Sequence, residues 1–248
     1  MLCVVTFYKF VVLTDPQSMR DRIESFCRDQ GVMGTILIAP EGINSTIAGT
    51  ADAIDRTLAF LRSHGEFADM THKTSHAATM PFRKLKVRVK KEIVTMKAPV
   101  DPANLVGRYV NAKDWNELIA RDGVIVIDTR NSYEFAEGTF EGAVDPKTDI
   151  FSQFPDYVRD NLDGCKNRPI AMFCTGGIRC EKATSYLLQQ GFNEVYHLQG
   201  GILKYLEEIP KDQSKWQGEC FVFDQRVGLD PSLQETDSTQ CFRCQTPL

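Results

Sequence analysis

The stretch FCTGGIRCEKA, Phe173 to Ala183, sets two cysteines around a pair of glycines and an arginine, directly after the apolar run PIAM. A cysteine placed between a buried strand and a helix sits at the positive end of the helix dipole. It lies among backbone N–H groups that no carbonyl within the helix accepts. Gly176 and Gly177 let the backbone curl, so that successive N–H groups turn inward as an anion nest. Arg179 adds a fixed positive charge. Cys174, at the base of this cradle of Thr175, Gly176, Gly177 and Ile178, is expected to be a thiolate near neutral pH. The same cradle suits a persulfide or an oxyanion. A glycine-rich turn with an incidental cysteine is the plain alternative, and the nearby Arg179 weighs against it. Cys180 is read as a resolving thiol, as a second thiol sharing the lowered pKa, or as a helix residue facing the core. Lys182 reads as a solvated helix lysine.

The elements around this loop alternate. NAKDWNELIARDG reads as a helix, VIVIDTR and PIAMFC as continuous apolar strands, EKATSYLLQQG as a helix, VYHLQGG as a strand and ILKYLEEIP as a last helix. Strands alternating with helices predict an α/β domain with a mainly parallel sheet, whose active loops lie beyond the carboxyl ends of the strands. Both DTR and CTGGIR take that position. From Lys211 onward periodicity is lost, and the chain reads as an irregular, cysteine-containing tail with little core of its own.

The first hundred residues follow another order. VVTFYKFVVL is a strand, and DPQSMRDRIESFCRDQG a helix with Asp15 as cap, Pro16 at the first helical position and Gly31 as stop. TILIAPEGINSTIAG forms two strands around a turn at Glu41-Gly42. TADAIDRTLAFLRSHG is a helix capped by Thr50 or Asp52, and FRKLKVRVKKEIVTM a closing strand. This βαββαβ order predicts a ferredoxin-like α+β sandwich, with helices on one face of an antiparallel sheet. The expected divisions are residues 1–97, a proline-containing linker 98–104, an α/β domain 105–212 and a tail 213–248.

Of the 248 residues, 25% are charged and 42% hydrophobic, which is a soluble composition. No apolar run approaches a membrane span, and the apolar N-terminus lacks the basic start and cleavage site of a signal peptide. Eight cysteines in a chain of this size, with no export signal, are expected to be reduced thiols in the cytoplasm. Cys3 and Cys27 read as inert core residues. The formal net charge of −4 gives no global reason to bind nucleic acid. PFRKLKVRVKKE gives a local one: Lys84, Lys86, Arg88 and Lys90 alternate with apolar residues and project from one face of a strand. An edge strand guarded by lysines is the competing account.

Three motifs in order, DTRNSYEFAEGTFEGA, FCTGGIRCEKA and LQGGILKYLE, resemble a rhodanese domain over roughly Leu105 to Pro210. Related phosphatases use a wider seven-residue loop, whereas Cys174 to Arg179 spans six residues, which favours a small group such as sulfur. Together with APEGINSTIAG and GTFEGAVDPKTDIFSQFPDYV, the match is closest to the rhodanese-domain tRNA uridine hydroxylases. Their resemblance runs to about Val227. It implies hydroxylation of the wobble uridine of tRNA to 5-hydroxyuridine, with molecular oxygen as co-substrate. The electron donor is unidentified, and no flavin or haem motif is visible. It also places Asp128, Arg130 and Glu134 beside the cysteine: Asp128 to fix loop N–H groups, Arg130 to hold substrate anions, Glu134 to orient Arg179; a structural ion network of the three is the plain alternative. Glu41 and Asn44 become a family signature on the substrate side, and the lysine stripe a site for tRNA. A persulfide-carrying sulfurtransferase and a non-catalytic tRNA- or protein-binding module are the alternatives. Cys241 and Cys244 form C-x-x-C with Cys220 upstream, one half of a zinc site. No histidine follows His197, so a closed set of four ligands is not evident. The oligomeric state is not legible.

Overall fold

The computed structural model describes residues 1–241 and divides into two compact units, Met1–Thr95 and a second that begins at Met96. In the first, β1 (Leu2–Phe10) leads to α1 (Pro16–Asp29). The Asp15 carboxylate accepts the Ser18 N–H at 2.9 Å, and Pro16 stands where no N–H is needed. Ile23 and Cys27 are buried, and Gly31 at φ +67° ends the helix. Then come β2 (Met33–Ala39), β3 (Gly42–Gly49) and α2 (Ala51–Arg62), whose cap is Thr50 and whose Ile54, Leu58 and Leu61 face the core. β4 (Lys73–Ala77) and β5 (Leu85–Val89) complete the unit. On β1, Val5 and Phe7 join the core under both helices, while Val4 points to the opposite face with Ala48 and Ala77.

The sheet order is β4-β1-β3-β2-β5. The first four strands are antiparallel neighbours in the ferredoxin-like arrangement, and β5 adds to β2 in parallel. This corrects the sequence reading in two respects, the closing strand and the hairpin turn. The strand that closes the sandwich is β4, with sequence KTSHA; the basic strand is a fifth, on the far edge. β4 escapes notice because an edge strand of five residues needs little apolar character. The hairpin turn is Pro40-Glu41 rather than Glu41-Gly42. Gly42, at φ +139°, already pairs with Ala39, and a Cβ there would lie 2.0 Å from the Lys9 carbonyl oxygen.

The second unit starts with β6 (Arg108–Val110), α3 (Ala112–Ala120), β7 (Ile125–Asp128), α4 (Ser132–Glu137) and β8 (Gly138–Phe140). It continues with α5 (Phe154–Asn161), β9 (Ile170–Phe173), α6 (Ile178–Gln189), β10 (Val195–Leu198) and α7 (Gly201–Glu208). Three short strands follow: β11 (Trp216–Gly218), β12 (Cys220–Phe221) and β13 (Gly228–Leu229). β6-β10-β9-β7 form a wholly parallel sheet. Every residue of β9 is buried, as a central strand covered on both faces requires. Ala171 and Phe173 share a core with Trp115 of α3 and Ile202, Tyr205 and Leu206 of α7.

The expectation of a coreless tail is overturned. β11 pairs antiparallel with β8, and the Trp216 ring meets Phe140 at 5.2 Å in that same core. Cys220, Phe221, Val222, Val227 and Leu229 are buried as well. Strands of two or three residues carry too little periodicity to register in a sequence. Among the described residues, no helix is long and apolar enough to cross a membrane.

Candidate active site

β9 ends at Phe173 and α6 begins at Ile178, so Cys174 to Gly177 form the link beyond the carboxyl end of a parallel strand. Gly177 caps α6 at φ +104°, in the left-handed region that a side chain disfavours. Its N–H donates to Cys174 Sγ at 3.1 Å. The Cys180 thiol and N–H donate to the same sulfur. Cys174 is fully buried, and burial alone would push its thiol up. The Cys180 hydrogen bonds, the Arg179 charge and the Gly177 N–H outweigh that and hold it well below the ordinary thiol range.

A second helix keeps the cradle's polarity. The N–H groups of Ile202 and Leu203, at the start of α7, donate to the carbonyl oxygens of Cys174 at 3.0 Å and Thr175 at 3.1 Å. These are N–H groups that a helix start leaves without intrahelical partners. They hold the Cys174 and Thr175 carbonyls on α7, while the Gly177 N–H goes to the sulfur. The approach is so close that a Cβ on Gly201 would lie 2.4 Å from the Cys174 oxygen.

Arg179 is held as a fork by Glu134, with Nη1 donating to Oε2 at 2.6 Å and Nη2 to Oε1 at 2.8 Å. Nη2 also reaches Thr175 Oγ1 at 3.3 Å. Glu134 is fully buried on the first turn of α4 and accepts the Asn131 N–H at 3.0 Å. Burial would raise its carboxyl, but the Arg179 charge and hydrogen bonds, with Arg130 beyond, bring it below the usual carboxylate value.

Four expectations change. Asp128 does not fix loop N–H groups. Its oxygens take the Arg130 N–H at 3.0 Å and the Arg130 guanidinium at 2.9 and 2.6 Å. Arg130 is sealed from solvent over the Trp216 ring, with its Nη1 lacking a hydrogen-bond partner, so it is not placed to hold a substrate anion at the loop mouth. Cys180 does not share the lowered pKa: burial, then its hydrogen bond to the Cys174 thiolate and that sulfur's charge, push its thiol well above the ordinary range. Lys182, read as solvated, is buried.

Two features near the site were passed over. The Asp128–Arg130 turn recurs at Asp224–Arg226, where Arg226 donates its N–H at 3.0 Å and its guanidinium at 2.8 and 2.6 Å to Asp224. The string DQR repeating DTR is the signal that would have found it. The preceding Phe223 is 62% exposed, and its ring lies 5.8 Å from the Arg179 guanidinium.

In the first unit, Glu41 Oε1 accepts the Ile93 N–H at 2.7 Å, and Asn44 Nδ2 donates to the Ile93 carbonyl at 3.0 Å. The two side chains therefore hold both backbone groups of one residue beyond β5. Lys84, Lys86, Arg88 and Lys90 are all exposed, while Val87 between them is buried. Arg20 of α1 donates to the Val87 carbonyl at 3.2 Å, which occupies part of this open edge. Cys220 leaves the zinc set: it is buried in the aromatic core, which pushes its thiol up to about 12. Cys241 is half-buried, and Cys244 lies outside the described residues. Among the described residues, no group of three or more metal-ligating side chains occurs.

A buried cysteine cradle in a parallel α/β domain, following a ferredoxin-like domain along the chain, defines the class. Family models for a UPF0176 acylphosphatase like domain and a Rhodanese-like domain match residues 2–93 and 111–208. A tRNA uridine(34) hydroxylase from Picosynechococcus sp. is 55% identical over 246 residues, covering 99% of this chain and 83% of its own length. Those from Sinorhizobium medicae and Acinetobacter baylyi are 55% and 52% identical, each over 99% of this chain and 78% of their own. The chain belongs to the tRNA uridine(34) hydroxylase family.

Proposed function

We propose that this protein hydroxylates C5 of the uridine at position 34 of tRNA, giving 5-hydroxyuridine, with molecular oxygen as co-substrate in the cytoplasm. The carrying observation is a fully buried Cys174 whose sulfur accepts the Gly177 N–H, in a chain that matches named hydroxylases over 99% of its length. C5 of a uracil is a poor nucleophile until a sulfur adds at C6. The Cys174 thiolate is the nucleophile for that addition. The loop N–H groups and Arg179 stabilise the negative charge that develops as the pyrimidine becomes an enolate. Residues 105–212 then carry the chemistry and residues 1–97 the tRNA. Lys84, Lys86, Arg88 and Lys90 meet its phosphates, and Glu41 and Asn44 brace the segment that follows them.

The test compares nucleosides of tRNA from cells with and without the protein, by mass spectrometry, with Cys174→Ser as control. The expected result is loss of 5-hydroxyuridine and its derivatives in both the deletion and the variant. Retention of 5-hydroxyuridine by Cys174→Ser would overturn the sulfur's role. Loss of thiolated nucleosides instead would replace the hydroxylase with a persulfide-carrying sulfurtransferase.

A further inference from the structure

Hydroxylation by molecular oxygen has an electron balance. Taking O2 to one hydroxyl and one water consumes four electrons, and converting C5–H to C5–OH releases two. Two more must come from elsewhere. Cys174 and Cys180 are both fully buried, and the Cys180 thiol donates a hydrogen bond to the Cys174 sulfur. Thr129 Oγ1 lies 3.5 Å from the Cys180 sulfur, and its hydroxyl donates to the Phe173 carbonyl at 3.0 Å. The other buried cysteines sit elsewhere: Cys27 in the core of the first unit, Cys220 in the aromatic core.

We propose that Cys174 and Cys180 are the electron donor of the hydroxylation, passing from dithiol to disulfide once per turnover. The inference rests on the hydroxylase reading and deepens it. The Cys174 thiolate adds to C6, and C5 then binds O2 as a peroxide anion. Loss of the C5 proton to that anion, with departure of the thiolate, restores the ring double bond and leaves a 5-hydroperoxide. The freed thiolate attacks the outer peroxide oxygen, the O–O bond breaks, and Cys174 becomes a sulfenic acid. The alkoxide left on C5 takes the Cys180 proton. The Cys180 sulfur then displaces hydroxide from the Cys174 sulfenic acid, closing the disulfide. The sum is C5–H, O2, one thiolate and one thiol going to C5–OH, a disulfide and hydroxide. Atoms and electrons balance.

The pair is matched to these roles. One sulfur is ionised and nucleophilic; its neighbour keeps a proton until an alkoxide needs it. An external dithiol must restore the pair between turnovers.

The experiment uses the reduced, desalted protein with tRNA bearing uridine 34, first without oxygen and then in oxygenated buffer free of thiols. Product is counted per chain, and cysteines are mapped by differential alkylation and peptide mass spectrometry. The expected result is at most one 5-hydroxyuridine per chain, matched one to one by a Cys174–Cys180 disulfide, with repeated turnover restored by dithiothreitol. In Cys180→Ser, the first product forms more slowly, because the thiol that donates to Cys174 and to the alkoxide is gone, and dimedone traps Cys174 as its sulfenic acid; the wild type gives no such adduct. Repeated turnover without any thiol, or product formed while both cysteines stay free to alkylate, would overturn the proposal. The wild-type stoichiometry decides even if the variant misfolds. Absence of 5-hydroxyuridine with and without dithiothreitol would overturn the hydroxylase reading and this one with it.

Discussion

The loop at Cys174 and the strand at Lys84 to Lys90 both present positive polarity, and they do so by opposite means. In the loop, the only full cation, Arg179, is matched by Glu134 in a buried fork. What acts on the sulfur is mainly a set of oriented N–H and S–H dipoles at hydrogen-bond distance. On the strand, four full charges stand in water. Buried dipoles act on one atom and are barely screened. Exposed charges act over a Debye length of about 10 Å at 0.1 M salt and weaken as salt rises. The proposed function puts reactivity in the loop and affinity on the strand, and each change below tests that division.

The largest effect is expected from Gly201→Ala. Its Cβ would meet the Cys174 oxygen at 2.4 Å and the Thr175 oxygen at 2.7 Å, both backbone atoms, so the loop or α7 must shift. A displacement of that order costs about 100-fold in rate. Single-turnover hydroxylation is expected to fall by that much while the tRNA dissociation constant stays put. Weakened tRNA binding would break the division. Next comes the double change Lys86→Ala with Arg88→Ala. The slope of log affinity against log salt should flatten by about two, since each phosphate left unneutralised removes roughly 0.9 from it. The rate at saturating tRNA should not move. A fall there would give the strand a part in the chemistry.

The smallest effect on either property is expected from His197→Phe on β10, beside the loop's own strand. His197 is buried against the Tyr109 ring at 4.2 Å with neither ring nitrogen hydrogen-bonded, and burial lowers its pKa to about 4. Between the ordinary histidine value near 6.5 and about 4, the unfolded chain takes up a proton that the folded chain refuses. Its contribution is therefore complete above that window and is lost as pH falls, by about 2 kcal/mol from pH 7 to pH 5. The phenylalanine variant should lose less stability over that range in urea titrations, with hydroxylation and tRNA binding unchanged. Equal losses in both proteins would mean that His197 titrates normally in the folded state.

Much of the loop was legible because its chemistry is local. A cysteine, two glycines and an arginine between a strand and a helix can hardly avoid making a nest. The caps of α1 and α2 were legible for the same reason. What escaped depends on partners far along the chain. Asp128 turns to Arg130 rather than to the loop, and Cys180 rises where the helix dipole alone would lower it, because it is fully buried and donates to the Cys174 sulfur. β4 and the strands after Ser214 draw stability from pairing and packing that short polar segments do not advertise. Phe223 gains interest only once Arg179 is found beneath it.

The seating of the loop on α7 also bears on how such a site can change. Its carbonyls are docked on Ile202 and Leu203, so its length is matched to the spacing of two helices. Lengthening it by one residue to enclose a larger anion would strand at least one of those amides. A redesign toward phosphate chemistry would therefore have to move a helix and a loop together, and neither alteration alone would be expected to give a working intermediate.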